Sequence, residues 1–141
     1  MKRRIYIAGP LFSKPELDFN EMVDSYLAGS GYSTFLPQRD GYLLSDLVAS
    51  GESKSSAVKM IFEKDLLEIQ RSDILVCILD GRVPDEGACV ELGIAYALGK
   101  ECIGLKTDTR CLMDDLDNPL ITGTLKGRIA RSIEELKEFL L

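Results

Sequence analysis

The segment Ile74-Leu-Val-Cys-Ile-Leu79 constrains the fold of this chain more than any other. Its apolar residues do not alternate with polar ones, the run is too short for a helix, and it stands between Ser72-Asp73 and Asp80-Gly81. A strand of that kind is buried on both faces, as in a parallel sheet covered by helices on each side. From Asp85 to Gly99 the chain turns small and apolar and reads as a helix carrying Glu91. A strand end and a helix start therefore meet near Asp80, Asp85 and Glu91, and open α/β sheets bind ligands at such junctions.

The same alternation runs through the rest of the chain. Arg4 to Ala8 reads as a strand ending in the loop Gly9-Pro10-Leu11-Phe12, where Gly9 lets backbone approach a ligand. Ser13 and Glu16 have capping-box spacing, and Phe19, Met22, Val23, Tyr26 and Leu27 recur at helical intervals until Gly29 and Gly31. Tyr32 to Leu36 predicts a strand, Pro37 to Gly41 a polar loop at the same sheet edge, and 42–49 a short helix. A loop over 51–56 precedes a helix from about Ser56 to Gln70. Glu101 to Lys106 predicts a strand, Thr107 to Asp117 a polar segment, and Gly127 to Ala130 an edge strand. Ser132 and Glu135 then cap a last helix. The expected architecture is one domain over 1–141, an α/β fold with a single doubly wound, mostly parallel sheet flanked by helices.

Composition narrows the chemistry. With 23 acidic against 17 basic residues the net charge is -6, which disfavours nucleic acid polymers and anionic membranes and favours small-molecule partners. Lys2-Arg3-Arg4 is followed by only a short apolar run broken at Gly9-Pro10, unlike a signal peptide, so a cytoplasmic location is expected. Cys77, Cys89, Cys102 and Cys111 form no C-x-x-C pair and read as reduced thiols. The chain has no histidine, so acid, base and nucleophile must come from carboxylates, Tyr, Lys or Cys.

Three carboxylates attract attention. In the 56–70 helix, Val58, Ile61, Phe62 and Ile69 form an apolar stripe with Asp65 near its centre, facing inward. Glu91 aligns with Ala88, Ala95 and Leu98, on a face of small and apolar groups that leaves room for a ligand. Asp85 is placed to cap the helix that carries Glu91, and Asp80 reads as a strand-end turn residue. Two carboxylates beside a pocket suit chemistry at an acetal-like carbon, one attacking the anomeric centre and the other donating a proton to the leaving group. Asp65, Asp80, Asp85 and Glu91 are also the residues a magnesium site would use, but no P-loop accompanies them.

Ile5-Tyr-Ile-Ala-Gly-Pro-Leu-Phe12, the Asp65 helix and Asp85-x-Gly-x-x-x-Glu-Leu-Gly-x-Ala95, in that order and spacing, resemble the nucleoside 2-deoxyribosyltransferase family. The resemblance implies a flavodoxin-like fold and exchange of the base of a 2'-deoxynucleoside through a covalent 2-deoxyribosyl-enzyme intermediate; no cofactor or metal is expected. It implies that Glu91 is the nucleophile, that the Tyr6 hydroxyl orients it, and that Asp65 and Asp85 lie at the sugar and base, one of them protonating the departing base. It further implies that Asn118 contacts the sugar 5'-hydroxyl in a neighbouring subunit's site, so the expected partners are nucleosides, free nucleobases and other copies of the chain. Phe12, Gln38 and Asp40 are expected to face the base on location alone. Two alternatives use the same pocket: an N-glycosidase acting on nucleoside 5'-monophosphates, with Ser13, Lys14 or Arg39 at the phosphate, and a non-catalytic nucleotide-binding module.

Overall fold

A computed structural model describes residues 1–140. Strands β1 (Arg4–Ala8), β2 (Ser33–Phe35), β3 (Ile74–Ile78), β4 (Glu101–Leu105) and β5 (Ile129–Ala130) form one sheet in the order β2-β1-β3-β4-β5. Every neighbouring pair is parallel. Seven helices connect and cover the strands: α1 (Lys14–Gly29), α2 (Pro37–Asp40), α3 (Leu44–Ala49), α4 (Lys54–Arg71), α5 (Glu86–Ala97), α6 (Pro119–Leu125) and α7 (Ile133–Phe139). This is the flavodoxin-like order, which reverses direction between β1 and β3 and leaves a crevice at the carboxyl ends of those two strands. Among the described residues no helix is long and apolar enough to cross a membrane.

Strand alternation sorts the side chains into two cores. Ile5 and Ile7 of β1, with Ile74, Val76 and Ile78 of β3, pack with Val23 and Leu27 of α1 and Leu136 of α7. Tyr6 and Ala8, with Leu75 and Cys77, point to the opposite face and meet Ile69 of α4 and Ala88, Leu92 and Ala95 of α5. That register carries the Tyr6 side chain under α4 and α5, although the residue itself is fully buried in the sheet.

The structure departs from the sequence-based expectations at α2 and α4, and α6 fills a stretch for which the sequence predicts no element. Pro37–Asp40 is a helical turn, not a loop: Pro37 opens it, and the Asp40 carboxylate accepts the Leu36 N–H at 2.9 Å. Asn118-Pro119 is likewise an N-cap and first turn, with Asn118 Oδ1 accepting the Leu120 N–H at 2.9 Å, and it starts a helix too short to show apolar periodicity. Helix α4 begins two residues early, capped by Ser53, and Val58 and Phe62 are 57% and 56% exposed rather than buried in the stripe, because they face a cavity and not packed protein.

The polar segment after β4 has its own anchor. The side chains of Lys106 and Asp117 are enclosed and form an ion pair across 11 residues, and the Asp80 carboxylate accepts the Thr107 N–H and hydroxyl, both at 2.6 Å. Together they hold the excursion 107–117 against the ends of β3 and β4.

Candidate active site

The crevice at the β1/β3 switch point opens into a cavity of about 470 Å³ between α4 and α5. Its floor is Gly9, which follows β1 and passes so close to β3 that an added Cβ would lie 3.0 Å from the Ile78 Cβ. Leu11 and Phe12 continue the loop at the mouth, where Phe12 is 80% exposed. One wall is Val58, Ile61, Phe62 and Leu66 of α4, and the other is Val90 and Ile94 of α5. Against these apolar walls the cavity presents three carboxylates, Asp65, Asp85 and Glu91.

Each carboxylate is held differently. Asp85 caps α5, its Oδ2 accepting the Ala88 N–H at 2.9 Å. Asp65 projects from the middle of α4; burial raises it to about 6, against the favourable charge of Lys64 and with a smaller contribution from Glu68. Glu91, one turn into α5, accepts a short hydrogen bond from the Tyr6 hydroxyl at Oε2. Burial pushes Glu91 up to about 8; the Tyr6 hydrogen bond pulls it back, while the charges of Asp65 and Asp85 push it further up. The Tyr6 hydroxyl is held well above the ordinary phenol range by burial and by the charges of Glu91 and Asp65, so it remains a donor.

This arrangement places two carboxyls, Glu91 oriented by a phenol and Asp65 on the facing helix, in one cavity with apolar walls, and near neutral pH the pair shares one proton, held chiefly by Glu91. Such a pair can attack an electrophilic carbon and protonate what leaves it. The family model for nucleoside 2-deoxyribosyltransferase matches the chain over residues 5–128, which includes the whole constellation. The chain belongs to the nucleoside 2-deoxyribosyltransferase family. No curated protein matches it in sequence comparison.

Solved structures extend this placement within the family. A conserved protein from Enterococcus faecalis V583 is similar at TM-score 0.80 and 28% identity, covering 98% of this chain and 96% of that one. The 2-deoxyribosyltransferase of the psychrotolerant bacterium Bacillus psychrosaccharolyticus has TM-score 0.70 and 27% identity, with 86% and 82% covered. The 2-desoxiribosyltransferase of Leishmania mexicana has TM-score 0.68 and 26% identity, with 98% and 96% covered.

Within this deoxyribosyltransferase fold, Gly9, Phe12, Asp65, Asp85 and Glu91 line one cavity and Tyr6 reaches it through Glu91. Gln38 and Asp40 do not line it. The Gln38 amide accepts from Asn20 Nδ2 and donates to the Leu17 carbonyl, both at 3.0 Å, and Asp40 is engaged by Leu36 and by Arg39 at 2.7 Å. Their side chains brace α2 against α1 instead of facing the crevice. Asn118 lies across α5 from the cavity, beside Leu120, where its side chain caps α6.

Sequence reasoning missed Asn20. It is buried in α1 and its Nδ2 donates to the Pro10 carbonyl at 2.8 Å, fixing the loop that floors the cavity. The signal was its position: Asn20, Val23, Asp24 and Leu27 share the buried face of α1, so two polar residues interrupt an apolar stripe.

Proposed function

We propose that the chain exchanges the nucleobase of a 2'-deoxynucleoside through a covalent 2-deoxyribosyl ester on Glu91. The observation that supports this most is the Tyr6–Glu91 hydrogen bond inside a cavity with apolar walls, because it favours the ionised form of a carboxyl that burial pushes toward the neutral one. A Glu91 oxygen attacks C1', the C1'–N bond breaks, and the electron pair leaves with the base nitrogen. Asp65 delivers the proton that neutralises the departing base; Asp85 has one oxygen committed to the helix cap and contacts the substrate with the other. In the second half a new base attacks C1', the ester bond breaks, Glu91 leaves as carboxylate, and the proton of the incoming N–H returns to Asp65. The test is to incubate the protein with a 2'-deoxynucleoside and a second free base and follow products by chromatography: a new deoxynucleoside is expected. Free deoxyribose alone would indicate hydrolysis, and no turnover would favour a binding module.

A nucleoside suits the cavity better than a 5'-monophosphate. The residues with which a phosphate would be held are engaged elsewhere: Ser13 caps α1, Lys14 pairs with Asp18 at 3.0 Å, and Arg39 pairs with Asp24 and Asp40 at 2.7 Å. The cavity's own charged groups are all acidic.

The protonation states set a pH window. Below about 6 both Asp65 and Glu91 are protonated and no nucleophile exists; above about 8 both are ionised and no proton remains for the base. Between them the pair carries one proton, which rests chiefly on Glu91; attack requires its transfer to Asp65, and the Tyr6 hydrogen bond eases that transfer by favouring the ionised form of Glu91. Initial rates of exchange are therefore expected to peak between these values and fall roughly tenfold per pH unit on either side; a rate that keeps rising beyond pH 9 would remove Asp65 as the acid.

Asn118 is assigned to the neighbouring subunit's 5'-hydroxyl, which makes the active unit at least a dimer. Mixing Glu91→Ala with Asn118→Ala protein after dissociation and reassociation is expected to restore activity, since a mixed pair holds one site with neither change. A mixture no more active than its components would place Asn118 outside the site.

A further inference from the structure

We propose that Phe35 is a positioning residue for Glu91, acting through the ring of Tyr6. The role rests on Glu91 being the reacting group, but its geometry stands independently of turnover. In the parallel pair β1·β2, Phe35 lies directly opposite Tyr6, and the two rings stack with centroids 5.2 Å apart and planes 24° from parallel. Both residues are buried. Phe35 is in turn held by two cations: the Arg4 guanidinium lies 6.0 Å and the Lys64 ammonium 5.8 Å from its ring centre. The same two cations converge on the buried carboxylate of Glu68, at 2.5 Å and 3.2 Å. Glu68 thus pins Arg4 and Lys64, the cations flank Phe35, Phe35 backs Tyr6, and Tyr6 aims its hydroxyl at Glu91.

A tyrosine has two side-chain torsions, so the direction of a buried hydroxyl follows the packing of its ring. Other groups act on Glu91: Asp65 from α4 and Asp85 from its own helix cap, while Glu68 acts on Tyr6, and the buried Cys77 thiol on β3 is itself pushed up by burial and by the charge of Glu91. The three carboxylates oppose further ionisation, and the thiol stays neutral. Among the described residues Tyr6 supplies the one side-chain hydrogen bond to Glu91, so loosening its ring removes the interaction that favours the charged form. Replacing Phe35 with an aliphatic residue of similar volume keeps the core filled but takes away the flat face and the surface on which the cations rest.

The test is a carbon-13 NMR titration of the Glu91 carboxyl in the wild-type protein, Tyr6→Phe, Phe35→Leu and the double variant. Tyr6→Phe is expected to raise the Glu91 midpoint by about one unit, and Phe35→Leu to raise it by about half a unit in the same direction. In the double variant Phe35→Leu adds nothing beyond Tyr6→Phe, because its effect passes through the missing hydroxyl. An unchanged midpoint in folded Phe35→Leu, or shifts that add, would overturn the proposal and leave Phe35 a core residue only. Phe35→Met is the second variant should leucine fail to fold, with the same expectations. If base exchange is not observed at all while the midpoints move as stated, the catalytic reading fails and the positioning of Glu91 stands.

Discussion

Glu91→Gln is expected to lose base exchange by at least ~10³-fold while becoming more stable than the wild-type protein in alkaline solution. The loss follows because an amide is too weak a nucleophile to displace the base, although it keeps the volume and still accepts the Tyr6 hydrogen bond. The gain follows from linkage. Burial raises the Glu91 carboxyl from 4.5 to about 8, so the folded state binds its proton more tightly than the unfolded chain does. Stability from this group is full below pH 4.5 and is lost progressively as pH rises through about 8. Glutamine has no such loss. At pH 9 the variant is expected to exceed wild type by on the order of 2 kcal/mol, a value discounted for the solvent that reaches the cavity, and to match it near pH 4. Urea unfolding at both pH values reads the difference. A variant that is inactive because it is misfolded would be less stable at both.

Asp117→Ala carries the largest expected cost in stability. Its partner Lys106 has a side chain only 3% exposed, and the Asp117 side chain is 8% exposed, so removal of the carboxylate leaves an ammonium buried without its counter-charge. Breaking such a pair from one side costs about 3–5 kcal/mol, which for a domain of this size lowers the melting temperature by roughly 10–20 °C. The double change Lys106→Met with Asp117→Leu is expected to recover most of that loss, since apolar groups of similar volume replace a buried ion pair at little cost. The loss reaches the α6 cap as well, because Asp117 precedes Asn118 directly and fixes where α6 begins. Thermal unfolding of the single and double variants decides the matter: a single variant within about 1 kcal/mol of wild type would mean the ammonium finds water without disturbing the fold.

How far the sequence revealed all this depended on the range of the interactions. The six apolar residues at 74–79 announced a parallel sheet because burial on both faces leaves a local mark, and the capping boxes at Ser13 and Ser132 marked helix starts for the same reason. Helices α2 and α6 left no such mark, being four and seven residues long, and only their Pro and Asn residues signalled them. Val58 and Phe62 looked like core residues because helical periodicity reports that a face is apolar, not whether protein or a cavity lies opposite. Asp65 and Glu91 stood out as carboxylates on apolar faces. Gln38 and Asp40 were placed by proximity to a strand end, and nothing local told that Asn20, Leu36 and Arg39 would engage their side chains. The contacts Tyr6–Phe35 and Lys106–Asp117 join residues from separate elements and belong to the tertiary fold alone, whereas Tyr6–Glu91 was expected from the family resemblance and from nothing local.

The central claim is that Glu91 becomes covalently attached to the sugar. Intact-mass spectrometry of the protein mixed with a 2'-deoxynucleoside, quenched in acid with no second base present, tests it most directly. The expected spectrum shows a fraction of the chain heavier by one 2-deoxyribosyl unit, located on the peptide containing Glu91 and lost in Glu91→Gln. A protein that releases base with no adduct at any quench time, or an adduct of undiminished intensity in the Glu91→Gln variant, would contradict the account.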